Sequence, residues 1–149
     1  MPYSKCISAS VLGVDGKSIT VEVDLSSGLP QVNLVGLPDP SVRESVERVR
    51  AAMRNSGFKF PLERVTVNLA PADLRKEGTA FDLAIAAAIL TASGQMDADA
   101  FDGMLVIGEL ASTAGCAPCP ACFPWSRKRG HAACGACCCL RTTPSKPRL

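Results

Sequence analysis

VTVNLAPADLRKEGTAFDLAIAAAIL, residues 65–90, is the stretch whose reading decides the fold. Val65, Val67 and Leu69 alternate with Thr66 and Asn68, a period of two that marks a strand with one face on a core. From Phe81 to Leu90 the chain is apolar almost all round. The spacing therefore predicts a helix buried on every side and packed closely through its alanines. Strand, polar turn and buried helix in succession point to an α/β (α+β) unit.

Upstream, Ile19, Val21, Val23 and Leu25 alternate with Thr20, Glu22 and Asp24, a second half-buried strand. Turn signals bound it at 13–16 and 26–30. The runs Cys6 to Leu12 and Gln31 to Gly36 are expected beside it in an antiparallel sheet, and Leu105 to Ile107 as a short buried strand downstream. Between them Asp39 caps a helix whose first turn suits Pro40 and whose core face is Val42, Val46, Val49 and Met53; Gly57 ends it. The other face carries Arg43, Glu44, Glu47, Arg48, Arg50 and Arg54. Arg43/Glu47 and Glu44/Arg48 are spaced to pair at about 0.2–0.5 kcal/mol each, so this face reads as solvated. Arg43, Arg50 and Arg54 are its candidates for a nucleic-acid or subunit contact. The later helix is expected to start at Thr79, with Asp82 reaching back in a short capping box.

A chain of 149 residues with 47% apolar and 5% aromatic side chains bounds one modest domain and a tail. Residues 1–110 hold ten Lys/Arg against fourteen Asp/Glu, a net charge of −4; residues 111–149 hold six Lys/Arg and no acid, +6. The second part also holds seven of the eight cysteines and five of the eleven prolines. Two compositions are two objects: a folded domain over 1–110 and an irregular tail over 111–149. The most apolar stretch, Phe81 to Ala92, falls short of the roughly 20 residues a spanning helix needs. Met1 to Lys5 lacks a signal-peptide pattern, so a cytoplasmic product with reduced thiols and no membrane partner is expected.

No Gly-x-x-x-x-Gly-Lys-[Ser/Thr] string occurs to cradle nucleotide phosphates. The one histidine is His131, and no serine sits in a Gly-x-Ser-x-Gly elbow. Glu44 and Glu47 belong to a helix surface, where charge balance is their expected role. No catalytic or cofactor-binding residue is assigned, and the chain by itself is expected not to be an enzyme.

The strings at Gly36 to Asp39, Asn55 to Gly57, Asn68 to Leu74 and Lys76 to Leu83 closely resemble the N-terminal domain of the bacterial magnesium-chelatase-like AAA+ family, the YifB or ComM type. The resemblance spans roughly residues 3–111. It implies the fold of the second domain of small-subunit ribosomal protein five, shared with the Lon protease domain. It also implies full-length relatives that bind ATP and magnesium, assemble as rings and move branched DNA in recombination and transformation. Their ATPase module would follow in sequence, so this chain is expected to be a truncated N-terminal domain without cofactor. The Lon likeness raises a Ser-Lys hydrolase as an alternative. Ala80, however, stands where the nucleophilic serine of that family's Gly-Pro-Ser-Ala-Gly string would be, and Thr79 is better explained as a cap.

Cys116-x-x-Cys119 and Cys134-x-x-Cys137 approach the spacing of a two-knuckle zinc site, so the alternative for the tail is a zinc-stabilised binding module with those four ligands. A shift of reading phase near Ala111 explains more. Every Cys, Phe and Trp codon begins with T, which the other phase reads as a middle base, and such codons encode only Phe, Leu, Ile, Met or Val. Back-translated that way, residues 111–126 give an Asp-Gly turn and a Pro-Gly bend, and residues 127–147 a strand-like VRRVLLP. The tail is therefore expected to be frameshifted and unstructured, with no metal. Leu105 to Leu110 would then lack neighbours, leaving an apolar sheet edge prone to self-association.

Overall fold

The computed structural model describes residues 2–12, 15–78, 80–110 and 137–141, with the side chains of 11–16 and 137–141 set aside. Six strands and two helices follow one another: β1 (Tyr3–Leu12), β2 (Asp15–Ser26), β3 (Gln31–Val35), α1 (Pro40–Asn55), β4 (Arg64–Ala70), α2 (Asp82–Ala92), β5 (Met104–Gly108) and β6 (Cys137–Arg141). They form one sheet in the order β3-β4-β2-β1-β5-β6. The mixed α/β class expected from the sequence is the one observed.

Alternation decides which face is covered. Ile19, Val21 and Val23 of β2 and Val65, Val67 and Leu69 of β4 are fully buried, whereas Glu22, Asp24, Thr66 and Asn68 are half-buried on the opposite face. Register places Val21 beside Leu69 and Val23 beside Val67, so the apolar rows coincide. Helix α2 packs across β1, β2 and β5 with α1 at its side. Ala84, Ala86, Ala87 and Ala88 are all buried, and their short side chains bring the helix backbone close to the sheet. Ser4 uses that closeness: its hydroxyl donates to the Ala88 carbonyl at 2.6 Å and accepts from Thr91 Oγ1 at 2.7 Å.

Three expectations are corrected. Gln31 to Val35 is not an antiparallel neighbour of β2. It runs parallel to β4, which takes the place beside β2. The α1 crossover returns the chain in the same direction, and Val65, Val67 and Leu69 compete better for the buried position than β3, whose ends are exposed. Second, the tail is not wholly irregular: Cys137–Arg141 pairs antiparallel with β5 from Met104↔Arg141 to Gly108↔Cys137. Unpaired N–H and C=O groups on the outer edge of β5 recruit it, so the open edge foreseen at Leu105 to Leu110 is occupied. Third, α2 begins at Asp82 after Phe81, with no side-chain cap; Thr79 lies outside the described residues. Among the described residues no helix is long and apolar enough to cross a membrane.

Candidate functional site

Three of the four family-like strings meet where α1 begins, α2 begins and β5 ends; Asn55 to Gly57 closes the far end of α1. Gly36 adopts φ +105°, and a Cβ there would collide with the Leu69 carbonyl oxygen. The chain therefore turns out of β3 directly against β4, which only glycine permits. Leu37 follows, also at positive φ (55°). Lys76 N donates to Leu37 O at 3.1 Å and Asp39 N donates to Lys76 O at 3.0 Å, joining the 36–39 and 76–78 strings as a short bridge. Asp39 then caps α1: its Oδ1 accepts from Val42 N at 2.8 Å and Ser41 Oγ at 2.7 Å, and Ser41 Oγ accepts from Gly78 N at 3.0 Å. The Ser41 hydroxyl is the largest cause holding the Asp39 carboxyl below its ordinary range.

Asp82 does different work from the box expected of it. Its side chain is fully buried and accepts from Arg48 Nε at 2.7 Å, Arg48 Nη2 at 3.1 Å and Leu110 N at 3.2 Å. A carboxylate at the first turn of α2 also faces the positive end of that helix. Burial pushes the Asp82 carboxyl up, and the Arg48 guanidinium and Leu110 amide pull it back. Arg48 is thereby drawn off the solvated face, with Glu44 only a distant partner at 3.9 Å. Its Nη2 also donates to Ser41 O at 3.1 Å. One ion pair thus ties α1, α2 and the end of β5.

Lys76 is among the largest fully buried side chains of the described residues. Its ammonium donates to the Pro71 carbonyl, beyond the cis Ala70–Pro71 bond, and burial pushes its pKa down while Asp73 pulls it up. No periodicity flagged this lysine, because a cation buried by a loop leaves no trace in spacing. Ala80 stands beside this cluster and its carbonyl accepts from Gly108 N at 2.9 Å.

The three arginines singled out on α1 do not form one patch. Arg43 is exposed at the N-terminal end, and 1.5 Å of rise per residue puts Arg54 about 16 Å further along the axis. Arg50 and Arg54 line a cavity of about 850 Å³ at the other end of the domain. There the Arg50 guanidinium lies 4.9 Å from the Phe60 ring centroid. Cys116, Cys119 and Cys134 lie outside the described residues, and Cys137 enters only as backbone of β6.

A family profile described as Subunit ChlI of Mg-chelatase matches residues 21–134, beyond the composition break at 110. The Uncharacterized protein YifB of Escherichia coli is 49% identical over 113 residues, which are 76% of this chain and 22% of that protein. Competence protein ComM of Haemophilus influenzae is 51% identical over 106 residues, 71% of this chain and 21% of its own length. An uncharacterized protein of Mycobacterium tuberculosis is 43% identical over 111 residues, 74% and 22% respectively. The chain spans about a fifth of the length of these curated relatives. An α/β domain with three of these strings gathered round a buried ion pair is of the magnesium-chelatase-like class. The chain belongs to the family of Mg-chelatase subunit ChlI, with YifB and ComM among its relatives.

Proposed function

We propose that this chain is the N-terminal domain of a magnesium-chelatase-like AAA+ ATPase and serves assembly or substrate engagement rather than chemistry. The ribosomal-protein-five, domain-two-like fold, related to the Lon protease domain, belongs to the same proposal. So does a cytoplasmic location without a cofactor of its own. For the full-length protein the proposal extends to ATP- and magnesium-dependent DNA processing by rings, of the branch-migration kind; the name Competence protein ComM of the Haemophilus relative is in keeping with it.

One observation carries the reading: the polar side chains gathered at the junction of α1 and α2 are spent on structure. Asp39 caps a helix, Ser41 holds Gly78, and Asp82 is saturated by Arg48 and Leu110. Ala80 supplies no nucleophile. A reacting group must instead reach substrate, and none of these does. The profile match running to residue 134 weighs against taking everything after Leu110 as out of phase. Sequencing the coding DNA through the codons for Leu110 to Cys116 and past the stop decides parentage. An open frame encoding a phosphate-binding loop is expected downstream; a frame without one refutes it. ATP turnover by the purified chain would refute the non-catalytic reading separately.

A further inference from the structure

The cavity that Arg50 and Arg54 line opens at the start of β3, between the sheet and the C-terminal half of α1. Its walls are mainly apolar: Val32 from β3, with Phe58, Phe60 and Leu62 from the segment after α1. Leu62 stands at the rim 83% exposed, continuing the apolar lining of Phe58 and Phe60 to the surface. The 58–63 wall is braced, since Gln95 accepts from Lys59 N at 2.8 Å and donates to Lys59 O at 2.6 Å. Pre-formed apolar space of this size holds a side chain or two without reorganisation.

Its charge is one-sided. Arg50, Arg54 and Lys59 line it against the single acid Glu63. Arg54 and Lys59 are exposed there, within reach of an incoming carboxylate.

Next to the groove the sheet is open. Strand β3 pairs only with β4 among the described residues, so half its peptide groups face outward. Val32 lies beside the buried Val65, which puts it on the helix-covered face. A strand added to β3 would send every second side chain to that face and into the groove. We propose that the β3 edge and this groove together bind an extended segment of another polypeptide, apolar at alternate positions with an acidic residue beside them.

Charge excludes the chain's own tail, which at +6 would be repelled. A single-stranded nucleic acid fits less well, because polar, phosphate-tracking surfaces serve it and Phe60 already has Arg50 on its ring. The C-terminal, partly negative ends of α1 and α2 also border the groove, which disfavours a polyanion more than one carboxylate held by two arginines. The inference does not depend on the proposed ATPase parentage and fails separately from it.

The test uses the full chain, immobilised, against a displayed library of random short peptides, with the selected peptides then synthesised and titrated. Selected sequences are expected to alternate apolar residues and to carry Asp or Glu at one end. Arg54→Glu and Lys59→Glu, both on exposed side chains, should each weaken them about tenfold or more, and Asn33→Pro on the open strand should abolish binding. Wild-type-like unfolding curves confirm that each variant is folded. Selection of no peptides, of basic ones, or of peptides indifferent to these variants overturns the proposal. So does tight binding of a single-stranded oligothymidylate that the same peptides displace, or a chain dimer that excludes them.

Discussion

Replacing Arg48 by leucine should be the most damaging single change at the junction of α1, α2 and β5. The Asp82 side chain is 0% exposed and that of Arg48 is 21% exposed. The two losses are therefore unequal. Without Arg48 the carboxylate stays buried with only the Leu110 amide, and removing one partner of such a pair costs about 3–5 kcal/mol. Without Asp82, as in Asp82→Asn, Arg48 can turn to water and the asparagine oxygen still accepts from Leu110; about 1–2 kcal/mol is expected. Against a total stability of about 5–15 kcal/mol, Arg48→Leu removes about a fifth or more. Urea unfolding followed by circular dichroism reads it directly: at a slope of about 2 kcal/mol/M the midpoint should fall by about 2 M. The double variant Arg48→Leu/Asp82→Leu should recover part of the loss, because no buried charge remains. If Arg48→Leu stays within about 1 kcal/mol of the parent, or costs less than Asp82→Asn, the ion pair is not what holds the junction.

Gly36→Ala combines a positive φ with a collision at the Leu69 carbonyl; a loss of about 2–3 kcal/mol and a melting point about 10 °C lower are expected, and an unchanged melt would contradict the close approach. Asp39→Ala removes the cap of α1, worth about 1 kcal/mol, and flattens the acid limb of stability. Because Asp39 sits below its ordinary range, its contribution is complete above the unfolded aspartate pKa of about 3.9 and disappears as pH falls through the folded value. Acid titrations of parent and variant by circular dichroism should converge there. Ser8→Ala should be neutral or stabilising by up to about 1 kcal/mol, since Ser8 Oγ is buried without a partner among the described residues; a marked loss in urea unfolding would mean that the hydroxyl is bonded. Protein purified without added metal should carry no stoichiometric zinc by elemental analysis. One equivalent per chain would support ligation by Cys116, Cys119, Cys134 and Cys137.

Much of the fold was legible because its signals are local. Val65 to Leu69 and Ile19 to Leu25 announce strands by alternation, Asp39 and Pro40 announce a helix start, and Phe81 to Leu90 announces burial by having no polar face. What pairs with what was less legible. Gln31 to Val35 has the look of a neighbour to β2, and only the helix between it and β4 puts it at the edge. The site was legible as strings but not as contacts. Arg48 sits at a position spaced to pair with Glu44, yet a buried carboxylate 34 residues away wins, since an ion pair shielded from water outweighs an exposed one. Arg50 likewise counted as part of a solvated face until Phe60 and the groove placed it. Nothing in residues 58–63 shows by period that they wall a cavity.

The pairing of β1 sets a schedule for folding. Its partner on one side, β2, leaves the ribosome directly after it, whereas the partner on the other side joins through Ile7↔Leu105, about a hundred residues later. At about 5–20 residues per second that interval lasts about 5–20 s. Throughout it one flank of β1 stays bare, and the alanine-rich helix emerges before the strand that completes its seat. Closing so long a loop is an entropic barrier that comes before any reward in contacts. Nascent chains of this domain should therefore depend on chaperones more than their length suggests.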